Sequence, residues 1–201
     1  FDTPVLLRLT TRVSHSRSLV EIGERVDNGL KSYVKNPQKY VMVPANAKGK
    51  HVIVEQRIVD QTAYCETGAD GLNTVEYNSK KIGVITSGIC YQYAKEALGE
   101  NASYLKLGCV YPLPVQMIKD FAAECETVYV LEELDDYIET HCRKHGIEVI
   151  GKDAFTLQGE YSQSLIAKVI LGKESESMKA DVNIVPRPPV LCAGCPHRGL
   201  F

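Results

Sequence analysis

The rhythm of apolar and polar positions changes near Lys81. From there, short apolar runs alternate with longer segments of helical period. Residues 82–86, 104–107, 127–131 and 147–150 read as buried strands, and residues 89–98, 115–124, about 135–145 and 162–171 as helices. Gly99, Pro112, Pro114 and Gly146 sit where these elements must stop. In the helix near 135–145, acidic residues come early and His141, Arg143, Lys144 and His145 late, an order that complements the helix dipole. Strands alternating with helices at this spacing predict an α/β fold, a three-layer α/β/α sandwich around a mainly parallel sheet, over residues 80–172.

Before Lys81 the pattern is weaker. Residues 4–9 (PVLLRL) suit a buried strand. Residues 18–79 read as a connector. Residues 47–60 can be helical, although Val52, Ile53, Val54, Ile58 and Val59 lower the propensity. Residues 173–201 read as a polar linker followed by a dense motif, so the domain is flanked by extended N- and C-terminal tails. The chain begins at Phe1 and stops at Phe201 just after that motif, and is expected to be a piece of a longer protein.

Composition narrows the class. Of the 201 residues, 44% are hydrophobic and 24% charged, with a net charge of −2, as in a globular protein without a nucleic-acid-binding surface. No apolar run approaches the ~18 residues of a membrane span. Seven cysteines without a signal peptide argue against a disulfide framework and for a reducing cytoplasm. Cys90, Cys109, Cys125 and Cys142 read as small core residues.

The candidate chemistry is sparse. Phosphate-loop, dinucleotide and nucleophile-elbow motifs are absent. Gly68-Ala69-Asp70-Gly71 reads as a turn, and His141 with His145 as a helix-end pair lacking further metal ligands. Glu132, Glu133, Asp135 and Asp136 read as solvated caps at a strand-to-helix junction, with acid–base work or a subunit contact as the other options. Arg12 follows the first apolar run, where it can clamp a carboxylate or phosphate or tie the turn together. Cys192-Ala193-Gly194-Cys195-Pro196-His197 is the densest cluster: two thiols at this spacing can face one metal ion or form a redox pair.

Several strings then carry a resemblance. Leu7-Arg8-Leu9-Thr10-Thr11-Arg12-Val13-Ser14-His15-Ser16-Arg17, Lys39-Tyr40-Val41-Met42-Val43-Pro44-Ala45-Asn46-Ala47, Lys81-Ile82-Gly83-Val84-Ile85-Thr86-Ser87-Gly88 and Arg187-Pro188-Pro189-Val190-Leu191-Cys192-Ala193-Gly194-Cys195-Pro196-His197-Arg198-Gly199 resemble, in order, the large (alpha) subunits of the indolepyruvate ferredoxin oxidoreductase family. These belong to the thiamine-diphosphate 2-oxoacid:ferredoxin oxidoreductases. The resemblance implies that residues 1–17 end a pyrimidine-binding domain, 80–172 resemble the transketolase C-terminal domain, and 173–201 link to and open a diphosphate-binding domain.

It further implies a parent oligomeric enzyme that oxidatively decarboxylates an aryl pyruvate with coenzyme A and reduces ferredoxin. That enzyme would work beside a smaller beta subunit and use thiamine diphosphate, Mg2+ and [4Fe-4S] clusters. Arg12 and His197 would lie near the cofactor, and Cys192 and Cys195 near a cluster. The family's usual Cys-Pro-Gly-Cys-Pro-His has Ala193 in place of the first proline here. This stretch would contain no catalytic residue, bind no cofactor alone and serve as the scaffolding middle. A non-catalytic interaction module and another thiamine-dependent dehydrogenase or transketolase-like subunit stay open.

Overall fold

Short hydrogen-bonded strands with helices between them build the sheet domain. The structure, a computed structural model, describes residues 4–9, 14–174 and 194–199. Two units separate along the chain, Phe1–Asn46 and Ala47–Phe201. Among the described residues, no helix is long and apolar enough to cross a membrane.

Residues 4–9 form no strand and are exposed: Leu6 is 91% accessible. The expected buried strand is therefore corrected, because among the described residues no strand is hydrogen-bonded to it. Helix α1 (Pro37–Tyr40) is one turn capped by the Asn36 side chain. Helix α2 (Pro44–Glu66) overrides the propensity argument against it. Each β-branched residue costs only a few tenths of a kcal/mol. Against that, His51–Glu55 and Gln56–Asp60 pair at i,i+4, and the C-terminal end is anchored. There Cys65 is buried, and both Glu66 carboxylate oxygens accept from the Gln116 and Met117 amides at 2.9 Å.

Beyond α2 come β1 (Thr74–Glu76), β2 (Ile82–Ser87), α3 (Ile89–Leu98), β3 (Ser103–Leu107), α4 (Val115–Ala123), β4 (Thr127–Leu131), α5 (Tyr137–Lys144) and α6 (Gln163–Leu171). The sheet order is β1-β3-β2-β4. The three central strands are parallel, in the register Val84↔Tyr104 and Val84↔Tyr129, and β1 adds an antiparallel edge.

Strand periodicity sorts the core into two layers. Ile85, Leu105 and Val130 face α4 and α5 through Ile118, Phe121, Ile138 and Cys142. Their neighbours Val84, Tyr104 and Leu131 face α3 and α6 through Cys90, Ala94, Leu98 and Ile166. The α/β/α sandwich predicted from the sequence is thus present. Its fourth expected strand, 147–150, shrinks to one parallel bridge, Tyr129↔Ile150. The reason is local: the amides of Gly146 and Ile147 close α5 by bonding to Arg143 and Cys142 carbonyls, with Gly146 at φ 73°.

Candidate functional site

In a parallel sheet, ligands gather at the carboxyl edge where successive connections diverge. Here that point lies between β2 and β4. The chain leaves β2 through α3 on one face and leaves β4 through α5 on the other. Thr86 and Glu132 stand at this edge, and both are buried.

Glu132 follows β4 directly and turns its carboxylate onto the start of α5. It accepts from the Ile138 amide at 2.8 Å and the Glu139 amide at 2.9 Å. A helix N-terminus stabilises a negative charge in this way. Burial still pushes the Glu132 carboxyl above the ordinary range, while the two amides and Lys152 pull it back. The solvated-cap expectation for Glu132 is therefore corrected, because the carboxylate is enclosed by the helix it caps.

Lys152 completes the arrangement. Its ammonium donates to the Glu132 carbonyl and to the Tyr161 hydroxyl, and lies 5.1 Å from the Tyr161 ring centre. Glu133 accepts from the Tyr161 amide at 2.8 Å. One turn into α5, the buried Glu139 accepts from the Lys152 amide at 2.8 Å and pairs with Arg143 at 2.7 Å. Arg143 also reaches Asp153 at 2.7 Å. A side chain at Gly151 would put its Cβ 2.2 Å from Glu139 Oε2. Across the edge, Thr86 donates to the Leu131 carbonyl at 2.8 Å.

Each carboxylate oxygen named here has a donor from this chain, and the Lys152 ammonium with the Tyr161 hydroxyl stands beside them. Chemically the cluster is a hydrogen-bonded network that joins the end of β4 to the start of α5 and to the loop before α6.

The residues singled out from the sequence fare differently. Arg12 and Cys192 lie outside the described residues. Cys195 is half-buried, and its carbonyl accepts from the Arg198 amide across a 3-10 turn, Pro196–Gly199, that contains His197. Among the described residues, no group of three or more His, Cys, Asp or Glu could hold a metal ion. The rings of His141 and His145 lie 4.7 Å apart. His141 sits with Arg143 and Lys144 in the last turn of α5, where burial, then the neighbouring His145 and Lys144, lowers its pKa. Lys152 and Gly151 escaped the sequence reading, and Glu139 was read only as an acidic residue near the start of its helix. The run Gly151-Lys152-Asp153 after an apolar stretch was the signal for the first two.

A second polar knot stands at the end of β3. Asn73, buried, donates to the Cys65 carbonyl at 3.1 Å and accepts from the Gly108 and Cys109 amides at 3.0 and 2.9 Å. It joins the end of α2 to the end of β3. The turn before it holds Ala69 and Asp70 at positive φ, and the Tyr64 hydroxyl donates to Asp70 at 2.9 Å.

No family model matches the chain. Among curated proteins, the indolepyruvate oxidoreductase subunit IorA of Methanothermobacter thermautotrophicus is 36% identical over 222 aligned positions, which take in 100% of this chain and 35% of that protein. The IorA subunits of Archaeoglobus fulgidus and Pyrococcus horikoshii are 33% and 32% identical, over 100% and 98% of this chain and 35% of each subunit. The chain thus spans about a third of the length of the curated relatives it matches. A 2-oxoglutarate:ferredoxin oxidoreductase from Magnetococcus marinus, solved with 2-oxoglutarate, coenzyme A and succinyl-CoA bound, overlays 65% of this chain and 24% of its own at 20% identity. Its TM-score of 0.47 is too low to add to the sequence match. The likeness read from the motifs is therefore to IorA subunits, and it runs the length of the chain.

Proposed function

We propose that this chain is the connecting and scaffolding part of a large subunit that oxidatively decarboxylates indolepyruvate or another aryl pyruvate. The parent enzyme takes coenzyme A as acyl acceptor, works with a smaller beta subunit, and passes electrons to ferredoxin in the cytoplasm. The observation that carries this reading is that the whole chain matches about a third of the length of subunits named indolepyruvate oxidoreductase. In such an enzyme, thiamine diphosphate would supply an electron sink and iron–sulfur clusters one-electron transfer.

Of the proposed cluster ligands, Cys195 is among the described residues. In this reading the sheet domain serves as the scaffold, with the Glu132–Lys152 arrangement bracing its carboxyl edge. Arg12 and His197 belong to the flanking cofactor domains in this reading, and Cys192 with Cys195 to a cluster margin.

The test is an anaerobic assay of the full-length subunit with its partner. Indolepyruvate with coenzyme A should reduce ferredoxin and release carbon dioxide. Turnover of 2-oxoglutarate in its place would overturn the substrate class. Arg12→Ala should cost more than about tenfold in kcat/KM, as expected for loss of one charged clamp. An unchanged rate would return Arg12 to tying its turn.

A further inference from the structure

Residues 18–36 hold a reactive pair that neither the scaffold role nor the sheet-edge cluster uses. Of the seven asparagines in the sequence, Asn28 is the one followed by glycine. Asn28 and Gly29 are exposed, and so are Val26 and Leu30 beside them. Gly29 stands at φ 64°, in the left-handed region, and a Cβ placed on it would meet no described atom within 4 Å. Its amide donates to Asp27 Oδ1 at 3.0 Å. The other described asparagines are held. Asn46, Asn78 and Asn101 donate to the Val41, Ala102 and Leu98 carbonyls, and Asn73 is buried with both ends of its side chain bonded. Asn36 caps α1 and precedes Pro37, whose nitrogen carries no hydrogen to give up.

We propose that Asn28-Gly29 is a self-modification site, at which the chain's own backbone converts the Asn28 amide to a carboxylate with water as co-reactant. The Asp27 carboxylate takes the proton of the Gly29 amide, and the Gly29 nitrogen attacks Asn28 Cγ. An N–C bond forms, the bond from Cγ to the side-chain nitrogen breaks, and ammonia leaves with that proton. The product is a cyclic succinimide, favoured because the reacting atoms belong to adjacent residues. Water then opens the ring at either carbonyl. Opening at Cγ leaves aspartate; opening at the backbone carbonyl leaves isoaspartate, with the chain rerouted through Cγ. In sum, an amide and water become a carboxylate and ammonium, and no electrons are transferred. The attack needs the nitrogen to reach Cγ, which a glycine without a Cβ permits best. The product adds a negative charge beside Asp27, in a segment that already holds Glu21 and Glu24.

Timed peptide mapping of the full-length subunit with its partner tests this. The folded complex is incubated in mildly alkaline buffer, beside a second sample in urea. In the folded sample Asn28 should be lost first among the asparagines. It should appear as aspartate and isoaspartate peptides, the latter accepting a methyl group from an isoaspartyl methyltransferase. Gly29→Ala should slow the loss about tenfold, because alanine disfavours the left-handed backbone and crowds the nitrogen. Asp27→Ala should slow it severalfold. An unchanged rate in either variant would overturn the step as written, and so would earlier loss of another asparagine. An Asn28 that stays intact in the folded complex yet converts in urea would also overturn it, because the segment would then be closed off in the assembled protein.

Discussion

Residues 4–46 and residues 74–171 carry similar kinds of apolar side chain and treat them in opposite ways. Leu6, Leu19 and Leu30 are fully or almost fully accessible, whereas Leu98, Leu105 and Leu107 are closed off. Hydrophobicity alone therefore does not make a core here. What differs is the arrangement along the chain. In the second region, each apolar strand is followed within a few residues by a helix whose apolar face returns to the sheet, so burial repays the ordering of both. Among the described residues of the first region no strand is followed by such a helix, and α1 contributes no buried residue.

That contrast can be broken most directly by truncation. Phe121→Ala removes a fully buried ring between α4 and the sheet, and should cost about 4 kcal/mol of unfolding free energy. Leu30→Ala should change it by less than about 0.5 kcal/mol. Urea titration of both variants in this chain checks the pair, and comparable losses would show that residues 4–46 pack more than their exposure indicates.

The polar core should be next in size. Glu132→Ala leaves two amides at the start of α5 without an acceptor and deprives Lys152 of a nearby carboxylate, at about 3 kcal/mol. Gly151→Ala forces a methyl group into Glu139 and should cost about 2 kcal/mol. Equal stability of the Glu132 variant would mean that the carboxylate's burial cost cancels its capping gain.

A further effect is a slope in stability with pH. Burial pushes the Cys90 thiol up to about 11, and the Cys142 thiol and Tyr104 phenol up to about 12, from ordinary values of 9.0, 9.0 and 10.0. Each group holds its proton longer in the folded state. Their contribution is complete below about pH 9, and is lost as pH rises and the unfolded chain ionises first. Stability should therefore fall between pH 9 and about 12, as burial alone requires. Cys142→Ala should flatten that limb, and an unchanged slope would show that the thiol titrates normally.

Much of this was legible in advance. Helix α3 and strand β4 have the bounds that periodicity indicates, because each pairs an apolar face with clear stops such as Gly99. The short β1 edge was not legible. Its three residues carry no run of their own and owe their conformation to register against Lys106, Leu105 and Tyr104. Helix α2 was legible only in part, since its anchoring contacts come from residues up to 51 positions away. The carboxyl edge was misread at Glu132 for a related reason: sequence gives the charge but not its enclosure. Arg12, Cys192 and the His197 side chain remain assignments by resemblance.

Local order and layer are thus written in residue order, because alternation and helical period act over a few positions and depend on side-chain type alone. Which charges are buried, and which amides they bond, was decided only by folding. Those outcomes depend on groups brought together from distant positions, where desolvation and donor geometry outweigh anything a single residue prefers.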